Sequence, residues 1–226
     1  MPNSAVWTIL DTDELWRIVS RSFCVSLTAT FLASLAGISL AAVLAVYSFP
    51  GRRTLVVLTN AFLGLPPVVV GLVLYLLLSR SGPLGITGLL FTPGAMVLAQ
   101  FVLATPIVTA FLHRALENSW GQYGGALMVD GASRLRAISH LLAVEQIQVL
   151  TAILAGFGRT VSEVGAILIV GGNIAGYTQT MTTAIVLETS SGNLSAALGL
   201  GSVLIGVSIA VSATIFGLGM KGGRGW

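Results

Sequence analysis

Long apolar runs follow one another along the chain, continuous in Leu, Ala, Val, Ile and Gly, with short polar stretches between them. A run of roughly 18 or more apolar residues is long enough to cross a bilayer as a helix. Five such spans are predicted, at about 23 to 48, 55 to 79, 93 to 113, 147 to 171 and 195 to 219. Transmembrane strands would instead alternate in segments of about ten residues. The predicted fold class is all-α: a polytopic membrane protein with about five transmembrane helices in a single domain over 1–226.

One polar stretch does not fit a simple turn. "GGALMVDGASRLRAISHLLAVEQIQ", residues 124 to 148, lies in a predicted loop from about 114 to 146, whereas helix connections in bundles usually take roughly 2 to 8 residues. Leu127, Gly131, Leu135, Ile138 and Leu142 recur at helical spacing, with Asp130, Ser133, Arg134 and Arg136 off that stripe. This predicts a short amphipathic helix around Asp130 to His140, with Gly131 at a bend between two helical pieces. Periodicity alone fits two roles equally, a helix lying on lipid headgroups and a helix offered to a soluble partner.

Charge then sets orientation. An odd number of spans puts the termini on opposite sides, and Lys and Arg collect on the cytoplasmic side. With the N-terminus outside, Arg52, Arg53, Arg114, Arg134, Arg136, Lys221 and Arg224 are cytoplasmic, against Arg17, Arg21 and Arg80 outside. The expected topology is N-out and C-in, with the polar stretch in the cytoplasm. The net charge of +3 reports this orientation and carries no nucleic-acid inference. The opening "MPNSAVWTILDTDELWRIVSR" has Asp11, Asp13 and Glu14 where a signal peptide has basic residues, so the first apolar run is expected to remain as a helix. "ELWRIVSRSF" around Trp16, Arg17 and Arg21 reads as an interfacial helix.

Within the spans, three features carry candidate chemistry. Pro66 and Pro67 fall inside the second span, where each removes a backbone donor, so the helix should kink or break there. The break serves either packing or a water-lined path, and Pro106 in the third span poses the same choice. Arg159 and Glu163, with Ser162 between them, put opposite charges four residues apart in the fourth span. Such a pair belongs in the bundle interior, an interface or a pathway. A pair that fixes helix packing and an Arg that passes or gates an anion are both consistent with it. The predicted outer loop, about 172 to 194, has no Lys or Arg, so no strong anion-capturing site is written there. No catalytic set and no metal-ligand spacing is present: His113 and His140 stand alone, and no G-x-x-x-x-G-K-[ST] sequence occurs. Cys24 is the single cysteine, which excludes an intrachain disulfide.

The stretch "GALMVDGASRLRAISHLLAVEQ" resembles the cytoplasmic loop signature of bacterial ABC importer permeases, Glu-Ala-Ala, three residues, Gly, nine residues, Ile-x-Leu-Pro. Ala126 and Gly131 fall on that pattern, while Gly125, Leu127, Leu141, Ala143 and Val144 stand where it has Glu, the second Ala, Ile, Leu and Pro. "YSFPGRRTLVVLTNAFLGLPPVVVGLVLYLLLSRSGPLG", residues 47 to 85, resembles the second-span region of oxyanion-importer permeases. "FGRTVSEVGAILIVGGNIAGYTQTMTTAIVLETSSGN", residues 157 to 193, resembles their fourth span and outer loop, in a form closer to tungstate than to molybdate permeases.

The resemblance implies the membrane subunit of a type I ABC importer for tungstate or molybdate in a prokaryotic cytoplasmic membrane. It implies a homodimer with two ATP-binding subunits below and an extracytoplasmic oxyanion-binding protein above. The permease itself would then be no enzyme and hold no cofactor, ATP and Mg belonging to the partner ATPase. Ala126, Asp130, Gly131, Ala132, Ser133, Arg134, Leu135 and Arg136 would couple to that ATPase. Pro66, Pro67, Arg159, Ser162 and Glu163 would line the path or gate, and Asn173, Tyr177 and Gln179 would meet the binding protein. A permease for sulfate, thiosulfate or another small solute, a secondary transporter or channel, and a structural or assembly subunit remain as alternatives.

Overall fold

The computed structural model describes residues 12–222 and, within them, the side chains of all but 12, 215 and 218–222. The segment ending at Asp11, the Lys221 side chain and Arg224, all used in the charge argument, lie outside the described residues. The helices are α1 (Thr12–Val46), α2 (Arg52–Ala61), α3 (Pro67–Leu78), α4 (Pro93–Val129), α5 (Arg134–Val144), α6 (Gln146–Val161), α7 (Gly165–Gly171), α8 (Met181–Ser190) and α9 (Leu194–Gly222). No strand occurs among the described residues, and the fold is all-α.

Three helices, α1, α4 and α9, are long and apolar enough to cross a membrane alone. Two bent pairs bring the number of candidate spans to as many as five: α2 with α3, bent by 106°, and α5 with α6, bent by 78°. Long α1 and α4 lie against each other at the centre, because small residues let their backbones approach. A Cβ placed on Gly37 of α1 would come within 2.8 Å of Val108 Cβ on α4. At one end of this pair Val25, Met96 and Leu103 pack with Val70 and Leu74 of α3 and Ile167 and Val170 of α7. At the other end Ala45, Val46, Leu112 and Leu116 pack with Leu141 of α5 and Ala152 of α6.

Several expected boundaries move. The interfacial helix of Trp16, Arg17 and Arg21 is the first part of α1, continuous with the span expected from residue 23. The third span does not end near 113: α4 runs on to Val129 through a buried Pro106 without a break. Thr105 and Thr109 donate to Phe101 O at 2.7 Å and Thr105 O at 2.8 Å, which binds the helix together on either side of the missing Pro106 donor. At about 1.5 Å per residue such a helix is about 55 Å long, far more than the roughly 30 Å of a hydrocarbon core. Part of it must extend beyond that core, and its polar stretch from His113 to Gly125 is the part whose composition suits water.

The fourth span, expected over 147 to 171, is two helices, α6 and α7, interrupted at Ser162–Val164. The expected outer loop contains a helix of its own, α8, opened by a capping box in which Thr180 and Thr183 exchange side-chain and backbone bonds. Reciprocal satisfaction of end donors starts a helix even in a segment without amphipathic pattern. α9 packs on α8 and α6 and leaves Leu198, Ile205 and Ile209 exposed, as suits a face toward lipid or another subunit.

Candidate functional site

The two interruptions expected or found within spans lie side by side. Pro67 forces the residue before it out of the helical region, and Pro66 is extended at φ −66°, ψ 121°. The chain turns there and α3 starts again with Pro67 at its first position, where no donor is lost. The second interruption, between α6 and α7, touches the start of α3. A Cβ on Gly165 would lie 2.8 Å from Val68 Cγ2, and one on Gly71 would lie 2.8 Å from Ala166 Cα. Glycine at both positions lets α3 and α7 meet at backbone distance. Pro66, Pro67, Ser162 and Glu163, remote in sequence, therefore fall in one neighbourhood.

The charged pair closes this neighbourhood. Arg159 Nη1 lies 3.1 Å from Glu163 Oε2, with the Arg side chain 28% and the Glu side chain 2% exposed. They do not share one continuous helix: Arg159 ends α6, and Glu163 stands in the break. Cations are favoured at helix C-termini and anions ahead of N-termini, so each charge suits its own position as well as its partner. Glu163 Oε1 also accepts the Ala166 N–H at 3.0 Å, and its carbonyl accepts from Thr182 Oγ1 at 2.9 Å. This satisfaction makes a buried carboxylate tolerable. Ser162 is exposed beside it, its hydroxyl donating to Gly158 O at 2.7 Å.

A set of buried polar residues supports the break from behind, and sequence reasoning missed it. Ser22, Ser26, Thr30 and Ser34 stand four residues apart on one face of α1, all buried. Ser22 Oγ accepts from Met181 N at 2.7 Å, fixing the start of α8, and Thr30 and Thr160 share a hydroxyl bond at 2.8 Å. Gln100 Nε2 of α4 donates to Thr160 O at 2.8 Å, taking a carbonyl in the last turn of α6. Polar side chains join helices across a membrane interior where water cannot. The four-residue spacing of hydroxyls in α1 was the available signal.

The expected coupling segment forms a helical tip. α4 ends in a Schellman turn: Ala132 N–H donates to Leu127 O at 2.9 Å and Gly131 N–H to Met128 O at 3.1 Å, with Gly131 at φ 78°. Ser133 then caps α5, accepting Arg136 N–H at 3.3 Å. The helix runs 134–144 and not 130–140, because Asp130 to Ala132 are spent on the turn. Gly131 does stand at the bend, but Leu127 belongs to α4, and Leu135 is 74% exposed. The buried face of α5 is Ala137 and Leu141, with Ile138 and Leu142 partly buried against the same cluster. Gly125, Ala126, Met128, Val129, Asp130, Gly131, Ser133, Arg134, Leu135 and Arg136 remain exposed at the tip.

Arg159 and Glu163 are not the only opposite charges brought together. Arg52 Nη2 of α2 lies 2.6 Å from Glu117 Oε1 of α4, and Arg52 Nε donates to Leu44 O at 2.5 Å. These bonds tie the end of α1 and the start of α2 to α4. At the far end, Arg21 of α1 donates to Gly176 O at 2.6 Å and to Gln179 O at 3.2 Å. Arg21 thus holds the 172–180 turn and is no free headgroup anchor. That turn exposes Tyr177 at 49% but buries Gln179 to 6%, so the Gln179 side chain is withdrawn from any docking surface. Asn173 adopts φ 47° with a buried Oδ1, a turn-forming position that Asn tolerates well.

No family model matches the chain. Individual proteins do. It is 35% identical over 209 residues to a probable anion ABC transporter permease protein of Haloferax volcanii, covering 90% of each chain. It is 34% identical over 205 residues to the tungstate uptake system permease protein TupB of Peptoclostridium acidaminophilum, covering 91% of this chain and 90% of the relative. With the TupB of Campylobacter jejuni it shares 38% identity over 159 residues, 70% of this chain and 66% of the relative.

Proposed function

This chain belongs to the anion permeases of ABC transporters, and on that premise we propose that it carries a tetrahedral oxyanion, tungstate first, across the cytoplasmic membrane. Two relatives bear the name of tungstate uptake permeases, and a putative molybdenum permease of Bacillus subtilis, 31% identical over 192 residues, makes molybdate the next substrate. ATP is hydrolysed by a separate subunit that receives the α4–α5 tip. A binding protein delivers the anion to the opposite face near Tyr177. Two copies of this chain enclose the path, each contributing the exposed face of α3, with Val69, Leu72, Val73 and Leu76. The N-terminus is outside and the tip in the cytoplasm.

The observation that carries the ATPase-docking role is how α5 uses its apolar residues. A helix resting on lipid turns its apolar stripe to the bilayer, but Ala137 and Leu141 of α5 are turned into the protein. What remains exposed is a small tip, with Val129 87% and Leu135 74% exposed beside Arg134 and Arg136. Apolar residues rimmed by charge, held beyond the membrane by a rigid helix, fit a protein cleft better than a lipid surface.

At the break, Arg159 supplies the positive charge for a passing oxyanion and Glu163 keeps it from being an open trap. The half-buried Arg beside exposed Ser162 supports this. Uptake into proteoliposomes tests the function: with the ATPase and binding protein present, tungstate should accumulate only with ATP, and excess molybdate should compete better than sulfate. Flux without the ATPase would place the chain among channels or secondary transporters.

A further inference from the structure

α5 is pinned at both ends, and by different chemistry. At its first residue the Arg134 guanidinium lies 5.2 Å from the centre of the Tyr47 ring, within cation–π range. Tyr47 follows directly on α1. At the other end Glu145 accepts the Ser119 hydroxyl of α4. Between the two pins Ala137 and Leu141 are buried, Leu141 in the cluster that contains Val46 and Leu116, against which Trp120 packs. Glu145 is also the only residue between α5 and α6. The joint bends by 78° with no loop to absorb displacement.

We propose that Tyr47 and Glu145 are positioning residues that convert movement of the docked tip into movement of α1 and α6. The proposal rests on the reading that the tip seats in the ATP-hydrolysing partner. A push on Leu135 or Arg136 meets a helix that cannot slide without breaking its contact to α1 or to α4. The displacement passes across the one-residue joint into α6, whose opposite end carries Arg159 and the break at Ser162. A lever fixed at two points suits the rigid-body transitions by which packed helices transmit small shifts. Arg134, exposed at the tip, also meets Tyr47 within its own chain, so one side chain belongs both to the docking rim and to the contact with the end of α1.

The test uses the full transporter in proteoliposomes, reading ATPase subunit retained on purification, ATP hydrolysed and tungstate taken up. In Tyr47→Leu and in Glu145→Gln the ATPase subunit should be retained and uptake per ATP should fall roughly tenfold, within the usual span of coupling factors. Tyr47→Phe keeps the aromatic face and should restore uptake per ATP to within about twofold of the parent. The proposal is overturned if both single variants transport as efficiently as the parent. It is equally overturned if Tyr47→Phe is as defective as Tyr47→Leu, or if Tyr47→Leu loses the ATPase subunit. Leu135→Glu tests the docking premise separately: loss of the ATPase subunit is expected, and its retention would sink the premise itself.

Discussion

Glu163 does three things with one carboxylate and one carbonyl: it pairs with Arg159, caps the start of α7 and accepts from Thr182. Removing only its charge separates them, since Gln can still accept the Ala166 N–H. Glu163→Gln should therefore leave α7 in place while freeing a guanidinium that is 28% exposed. We expect a loss of about 1–3 kcal/mol, less than for a fully buried pair because solvent reaches the Arg. Tungstate uptake should slow while the half-saturating concentration falls, as a stronger anion trap requires. A faster uptake with unchanged half-saturation would refute the role given to the pair. These two residues were legible in sequence because ionisable groups are conspicuous inside an apolar run. Gln100 and the Ser22 to Ser34 stripe were not singled out, since hydroxyl and amide groups carry no such cost on a helix that can bond them internally or to a neighbour.

At the scale of elements, the α4–α5 turn shows how a local rule places the segment proposed to dock. Gly131 has φ 78° and no heavy atom within 4 Å of an added Cβ. A Cβ there meets no steric wall in this chain, so the effect of a side chain is expected from backbone strain or from the docked partner. Left-handed backbone costs an ordinary residue about 1–2 kcal/mol, and Asn tolerates it best. Gly131→Asn should keep both the turn and coupled ATP hydrolysis, whereas Gly131→Val should insert in the membrane but lose coupling. Equal loss in both would show that the partner, not the turn, excludes a side chain. The paired breaks follow the same logic: the one at Pro66 was readable because Pro67 dictates it, and the one at Ser162–Val164 was not. No proline marks it, and its stability comes from Gln100 and Thr182 on other helices.

For the whole molecule, two groups of contacts define opposite ends. Arg52, Glu117, Tyr47 and Arg134 gather at one, and Arg21 with the 172–180 turn at the other. If the charge asymmetry sets orientation, a Cys at Leu135 should react with a membrane-impermeant maleimide only after permeabilisation, and a Cys at Tyr177 in intact cells. The measurement is made in a Cys24→Ser background, since Cys24 is exposed on α1. The reverse pattern would invert the topology. The sequence by itself determined the helical class, the apolar runs, the odd charges within them and the polar stretch that interrupts them, because each follows from the cost of exposing polar groups to lipid along a local stretch. Only the tertiary structure decided that α4 runs on as one helix past its apolar part, that α5 turns its stripe inward, and that two breaks about a hundred residues apart face each other. Those outcomes depend on which surfaces meet, through Gly71 on Ala166 and Leu141 against α4, and no periodicity within one segment encodes its partner.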